Sequence, residues 1–115
     1  MEPHELVKTI AQILDSKKAV DLKAIHTTEQ TIISDYFVIA SGTSTTHVKA
    51  LADELEFQLK QRHGLAPKGV EGRASGWILL DYGVVLAHIF TPDQREYYNI
   101  ERLWEDSETV EDLLT

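Results

Sequence analysis

The sequence predicts an α/β fold, one domain over residues 1–115 with a mixed β-sheet flanked by helices. Three observations carry that expectation. Two segments place apolar residues at three- and four-residue spacing, several short runs are rich in β-branched and aromatic residues, and one such run leads through a tight polar turn into a helix. With 115 residues and 43% apolar side chains, the chain is long enough to bury a core without disulfides, and it has no cysteine.

Pro3 suits a first helical turn, and Leu6, Val7, Ile10, Ile13 and Leu14 follow at helical spacing, so residues 3–17 read as an amphipathic helix with Lys17 and Lys18 at its carboxyl end. Residues 19–25 alternate apolar and polar with period two, as a strand with one buried face does. Residues 26–30 read as a polar turn. Thr31-Ile32-Ile33 and then Tyr36-Phe37-Val38-Ile39-Ala40 read as strands, the second apolar throughout, as a central strand covered on both faces would be. Ser41-Gly42-Thr43-Ser44 breaks it, and from Thr45 a helix runs through Val48, Leu51, Ala52, Leu55 and Leu59 to Gly64. Residues 66–72, with a proline and two glycines, read as a loop. Trp77-Ile78-Leu79-Leu80 and Val84 to Phe90 form a hairpin turned at Asp81-Tyr82-Gly83. The Phe37 strand, its helix and the Trp77 strand fit a right-handed parallel crossover, which makes the sheet mixed. Thr91-Pro92-Asp93 opens a short helix through about Trp104, and weak periodicity follows in Val110, Leu113 and Leu114.

Nineteen acidic against eleven basic residues give a net charge of −8, a field that repels phosphate backbones and anionic lipid. Direct sequence-specific nucleic-acid binding and membrane binding are not expected. Most of the excess lies in residues 101–115, where six acidic side chains face only Arg102. This stretch reads as a solubilising tail, or as an acidic arm for a basic partner. No run of eighteen apolar residues occurs, and Met1-Glu2-Pro3-His4-Glu5 lacks the basic flank of a signal peptide, so a cytoplasmic protein is expected.

The turn at Gly42 has two readings. Free N–H groups and the helix dipole there could hold phosphate, or Gly42 permits the turn while Ser44 or Thr45 caps the helix. No lysine follows as a P-loop requires. Metal-dependent nucleotidyl transfer needs two carboxylates two positions apart on one strand, and that pair is missing; Asp53 and Glu54 are adjacent and read as a solvated helix face. His4, His26, His47, His63 and His88 show no metal-ligand spacing, so neither metal nor cofactor is expected. His88, inside an apolar strand, reads as a hydrogen-bonded, partly buried residue, and His47 as a shaper of the Gly42 turn. What remains is Trp77, Tyr82, Phe90, Arg95, Tyr97, Tyr98 and Trp104, crowded into 28 residues. Tryptophan, tyrosine and arginine dominate protein interfaces, and Tyr97 and Tyr98 cannot both point into one core from consecutive helical positions.

Together these segments are specific. Asp35 to Ser44, His47 to Asp53, Glu71-Gly72, Gly76 to Gly83, His88-Ile89-Phe90 and Arg95 to Trp104 closely resemble the ribosomal silencing factor family, also called Iojap-like, over nearly the whole chain. The resemblance implies a domain similar in fold to nucleotidyl transferases but without their catalytic residues, often a homodimer. It also implies binding to a ribosomal protein on the joining face of the large ribosomal subunit. Bound there, such a protein blocks association with the small subunit and lowers translation when nutrients are scarce. The acidic chain suits a basic ribosomal protein. On this reading Trp77, Asp81, Tyr82, Arg95, Tyr97 and Tyr98 form the docking face, with Glu71 beside them, and no reaction is catalysed. The chain departs from the family pattern at Val84, where an acidic residue usually follows the hairpin glycine. A small nucleotidyl- or phosphoryl-transferase using the Gly42 turn is the competing reading, and a dimeric adaptor for another basic protein a third.

Overall fold

A computed structural model describes residues 1–27, 35–73, 75–104, 108–110 and 113–114. Helix α1, Pro3–Ser16, starts with proline in its first turn and buries Leu6, Val7, Ile10, Ala11, Ile13 and Leu14 along one stripe. Helix α2, Thr45–His63, buries Val48, Leu51, Ala52, Leu55 and Leu59. Ser44 caps its start, its hydroxyl oxygen accepting from the His47 N–H at 3.1 Å, and Gly64 ends it in the left-handed conformation with φ 62°. At Gly42 the chain passes so close to α2 that a Cβ would lie 2.9 Å from the Val48 nitrogen, which leaves room for glycine alone.

Five strands, β1 (Val20–His26), β2 (Tyr36–Ser41), β3 (Gly69–Glu71), β4 (Trp77–Asp81) and β5 (Val85–Phe90), form one mixed sheet in the order β1-β2-β5-β4-β3. β2 and β5 are parallel, with Phe37 opposite Leu86 and Ile39 opposite His88; the other neighbours are antiparallel. The α/β class and the mixed sheet stand as expected.

The crossover does not. The predicted parallel partner of the Phe37 strand was the Trp77 strand, but β4 runs antiparallel to β5 and is not a neighbour of β2. The reason is β3, which lies inside the residues read as a loop. The chain crosses over α2 into β3 at the far edge, and two antiparallel reversals then bring β5 in beside β2.

Two further boundaries move. Residues 26–30 were read as a turn, yet His26 still belongs to β1. The rest of that turn from residue 28, and Thr31-Ile32-Ile33, lie outside the described residues. The helix expected from Thr91 to about Trp104 is broken: α3 spans Pro92–Tyr98, Asn99 takes φ 43°, and a 3₁₀ helix follows over Ile100–Trp104.

Both helices α1 and α2 cover one face of the sheet, where they meet Ala24, Val38, Ala40, Ile78, Leu80, Val85, Ala87 and Ile89. A smaller cluster of Ile25, Phe37, Ile39 and Phe90 lies on the opposite face, with Trp77, Leu86, Ile100 and Trp104 packed around it. Part of the acidic stretch also joins the fold. Residues 108–110 run antiparallel along β1, the Glu108 carbonyl accepting from the His26 N–H at 2.8 Å and the Val110 N–H donating to the Ala24 carbonyl at 3.0 Å. Leu113 is buried against the main core. These residues are packed structure rather than a loose solubilising tail.

Candidate docking face

Strand alternation decides which side chains share a surface. On β4 it sets Trp77, Leu79 and Asp81 on one face of the sheet, with Ile78 and Leu80 under the helices. On β5 the same face receives Leu86, His88 and Phe90, and on β3 it receives Glu71, opposite Leu79. Trp77, Leu79, Asp81 and Leu86 are half-buried and Glu71 is exposed, so this part of the sheet is only partly roofed.

The roof is α3 and the 3₁₀ helix, and neither contains a buried residue. Rings and one polar clamp hold it in place. Tyr98 packs at a tilt against Trp77 with centroids 4.7 Å apart, Trp77 stacks on Phe90 at 4.9 Å, and Trp104 meets Phe37 edge-on at 5.3 Å. Arg95 donates from Nε to Glu101 Oε1 at 2.7 Å and from Nη1 to Ser41 Oγ at 2.9 Å, which ties α3 both to the 3₁₀ helix and to the end of β2. Lys23 Nζ lies 3.6 Å from Glu101 Oε2. The Arg95 guanidinium bonded to Glu101 holds that carboxyl below the usual carboxylate range.

Tyr97, Tyr98 and Leu103 remain open to solvent at 79%, 48% and 73% exposure, three large side chains on the two helices of the roof. Tyr97 and Tyr98 touch edge-to-face at 5.0 Å, and at these exposures neither enters the core. Asp81 shapes the hairpin, its Oδ1 accepting from the Gly83 N–H at 2.8 Å where Gly83 takes φ 84°.

Of the seven residues expected to dock, the structure gathers Glu71, Trp77, Asp81, Tyr97 and Tyr98 on this side of the sheet and separates two. Tyr82 points the other way, buried beneath α2, where burial and the nearby Glu56 carboxylate push its hydroxyl well above the usual tyrosine range. Its parity along β4 requires this, since Tyr82 alternates with Asp81. Arg95 is largely buried, and its guanidinium bonds Glu101 and Ser41, so it braces the roof from beneath. Leu79, Leu86 and Leu103 were not singled out, although the i, i+2 pattern from Trp77 marks Leu79; His88 is hydrogen-bonded as expected, and more deeply buried. Trp77 Nε1 donates to His88 Nδ1 at 3.2 Å.

Three N–H donors of the Gly42 turn are bonded internally. The Gly42 N–H bonds the Phe90 carbonyl at 2.9 Å, the Thr43 N–H bonds His47 Nδ1 at 2.9 Å, and the His47 N–H is taken by Ser44. His47 Nε2 in turn sits 3.0 Å from the Lys17 carbonyl, which pins the turn to the end of α1. Among the described residues no group of three or more histidines and carboxylates is placed to hold a metal ion, and no helix is long and apolar enough to cross a membrane.

A family model described as "Ribosomal silencing factor during starvation" matches residues 1–115. The chain belongs to the ribosomal silencing factor family. The factor of Halalkalibacterium halodurans is 38% identical over 112 residues, which cover 96% of this chain and 95% of that one. The Bacillus subtilis ribosomal silencing factor is 36% identical over 108 residues, 93% and 91% of the two chains. A mouse protein named mitochondrial assembly of ribosomal large subunit protein 1 is 33% identical over 102 residues, 85% of this chain and 44% of its own. Among solved structures, a Chromobacterium violaceum protein superimposes with a TM-score of 0.87 at 35% identity, covering 91% of this chain and 88% of that one. A Bacillus halodurans protein does so with 0.79 at 37%, covering 93% and 97%. This chain therefore shares the fold of both solved structures over more than nine-tenths of its length.

Proposed function

We propose that this protein silences translation by docking on the large ribosomal subunit through the partly roofed sheet face and keeping the small subunit from joining. The action needs occupancy alone and catalyses nothing. The family and the names of its relatives support the ribosomal reading. The observation that carries the choice of face is the exposed Tyr98 against the half-buried Trp77, with Tyr97 and Leu103 exposed on the roof and Glu71 and Asp81 on the same face of the sheet. Apolar anchors bordered by carboxylates suit a basic ribosomal protein on the joining face. Tyr82 and Arg95 are left out of the contact. The protein acts in the cytoplasm, where the subunits meet, and a homodimer of the 13.0 kDa chain belongs to the same reading.

Purified protein mixed with bacterial large and small subunits on a sucrose gradient should co-migrate with the large subunit, shrink the joined-ribosome peak, and bind less as salt rises. Trp77→Ala and Tyr98→Ala should each lose about ten-fold or more in affinity while remaining folded. If both bind as the unaltered protein does, the face is wrong; if no co-migration occurs at all, the ribosomal reading falls.

A further inference from the structure

Strand β5 reads Val85-Leu86-Ala87-His88-Ile89-Phe90, and His88 is its one polar side chain, only 5% exposed. An indole N–H can only donate, so the 3.2 Å bond from Trp77 requires His88 Nδ1 to be the bare acceptor and places the ring's proton on Nε2. That nitrogen is buried and has no hydrogen-bond partner among the described residues. An unmet buried donor costs stability, and a leucine of similar volume would sit beside Phe37 and Phe90 without that cost. Burial also pulls the ring's pKa down to about 4, so it stays neutral and able to accept at neutral pH.

The acceptor has a use. Trp77 is stacked on Phe90 and touched by Tyr98, but ring stacking tolerates sliding and flipping of the indole. The bond to His88 is directional and admits one orientation. We infer that His88 is a positioning residue for the docking face: it fixes the orientation in which Trp77 meets Tyr98 and the partner, and the unmet Nε2 donor is the stability given up for that fixation. This rests on the docking face proposed above.

The signature is that stability and affinity move in opposite directions. His88→Leu should raise Tm by about 5 °C. The same variant should shift the Trp77 indole N–H resonance, assigned with Trp77→Phe, to a solvent-exposed value, and weaken binding to purified bacterial large subunits about ten-fold. His88→Asn keeps an acceptor oxygen close to the Nδ1 position. It should retain the bonded indole resonance and bind within about three-fold of the unaltered protein, despite a lower Tm. Should His88→Leu not fold, His88→Val removes the acceptor in a smaller β-branched residue.

Unchanged binding by the apolar variant overturns the assignment, as does loss of binding in both variants in proportion to lost stability. Trp77→Ala separates the two levels. If it binds undiminished, the docking face itself is wrong and the role of His88 falls with it; if it is defective while His88→Leu binds normally, His88 alone was misassigned.

Discussion

The two faces of the sheet are made by the same strands and differ in nearly everything else. Under α1 and α2, Val38, Ala40, Ile78, Leu80, Val85, Ala87 and Ile89 are sealed from solvent against two helices of 14 and 19 residues. On the opposite face, α3 has seven residues, none of them buried, and is held by the contact of Tyr98 with Trp77 and the Arg95 clamp. Each face carries one buried polar atom with no partner among the described residues, Tyr82 Oη under the helices and His88 Nε2 across the sheet. The contrast teaches that the helix side supplies stability, which the open side spends on exposed aromatics and a fixed tryptophan.

The largest expected effect breaks the helix side. Leu55 is fully buried, and Leu55→Ala should cost about 4 kcal/mol of unfolding free energy. Denaturant titration checks this, and the fraction still folded should bind large subunits as before.

Acid should strike the open side. The unfolded chain takes up a proton at His88 near its ordinary pKa of 6.5 and the native protein only near 4. Stability present above pH 6.5 is therefore lost as the pH falls towards 4, by about 3 kcal/mol. Glu101, held below the usual carboxylate range, adds a loss in the same direction at lower pH. Unfolding followed across this window should show the loss, and His88→Leu should remove the His88 part of it.

Tyr82→Phe removes the unmet hydroxyl on the helix side and should stabilise by about 1 kcal/mol with no change in ribosome binding, in contrast to His88→Leu. A binding defect in Tyr82→Phe would erase the distinction between the faces. The smallest change in stability should come from Tyr97→Ala, within about 0.5 kcal/mol, because Tyr97 is 79% exposed. Its effect on large-subunit co-migration should be far larger than its effect on Tm.

How much of this was legible beforehand follows from range. Helices α1 and α2 announce themselves through local spacing, and β2 and β5 through apolar runs that only His88 interrupts, because burial on one stripe or on both faces writes itself into consecutive residues. Gly69-Val70-Glu71, between Pro67 and Gly72, carries one apolar side chain in three, and its pairing with β4 is made by backbone groups that no residue type encodes. Missing it sent the crossover to the wrong strand. At the docking face, the aromatic cluster was visible as composition. Tyr82 was misplaced although its parity along the strand was available, whereas Arg95 could not be placed, since its partner Ser41 lies 54 residues away in the chain.

The backbone pairing of residues 108–110 with β1 bears on how the molecule keeps to itself. An uncovered strand edge is a template for any extended segment of another molecule, and here the His26 N–H and the Ala24 carbonyl are already occupied. At the other margin, β3 is only three residues long and displays the charge of Glu71, too little for strand addition. A version shortened before Glu108 would uncover a ready seam for β-augmentation and also strip Leu113 from the main core, and should form aggregates that grow with concentration.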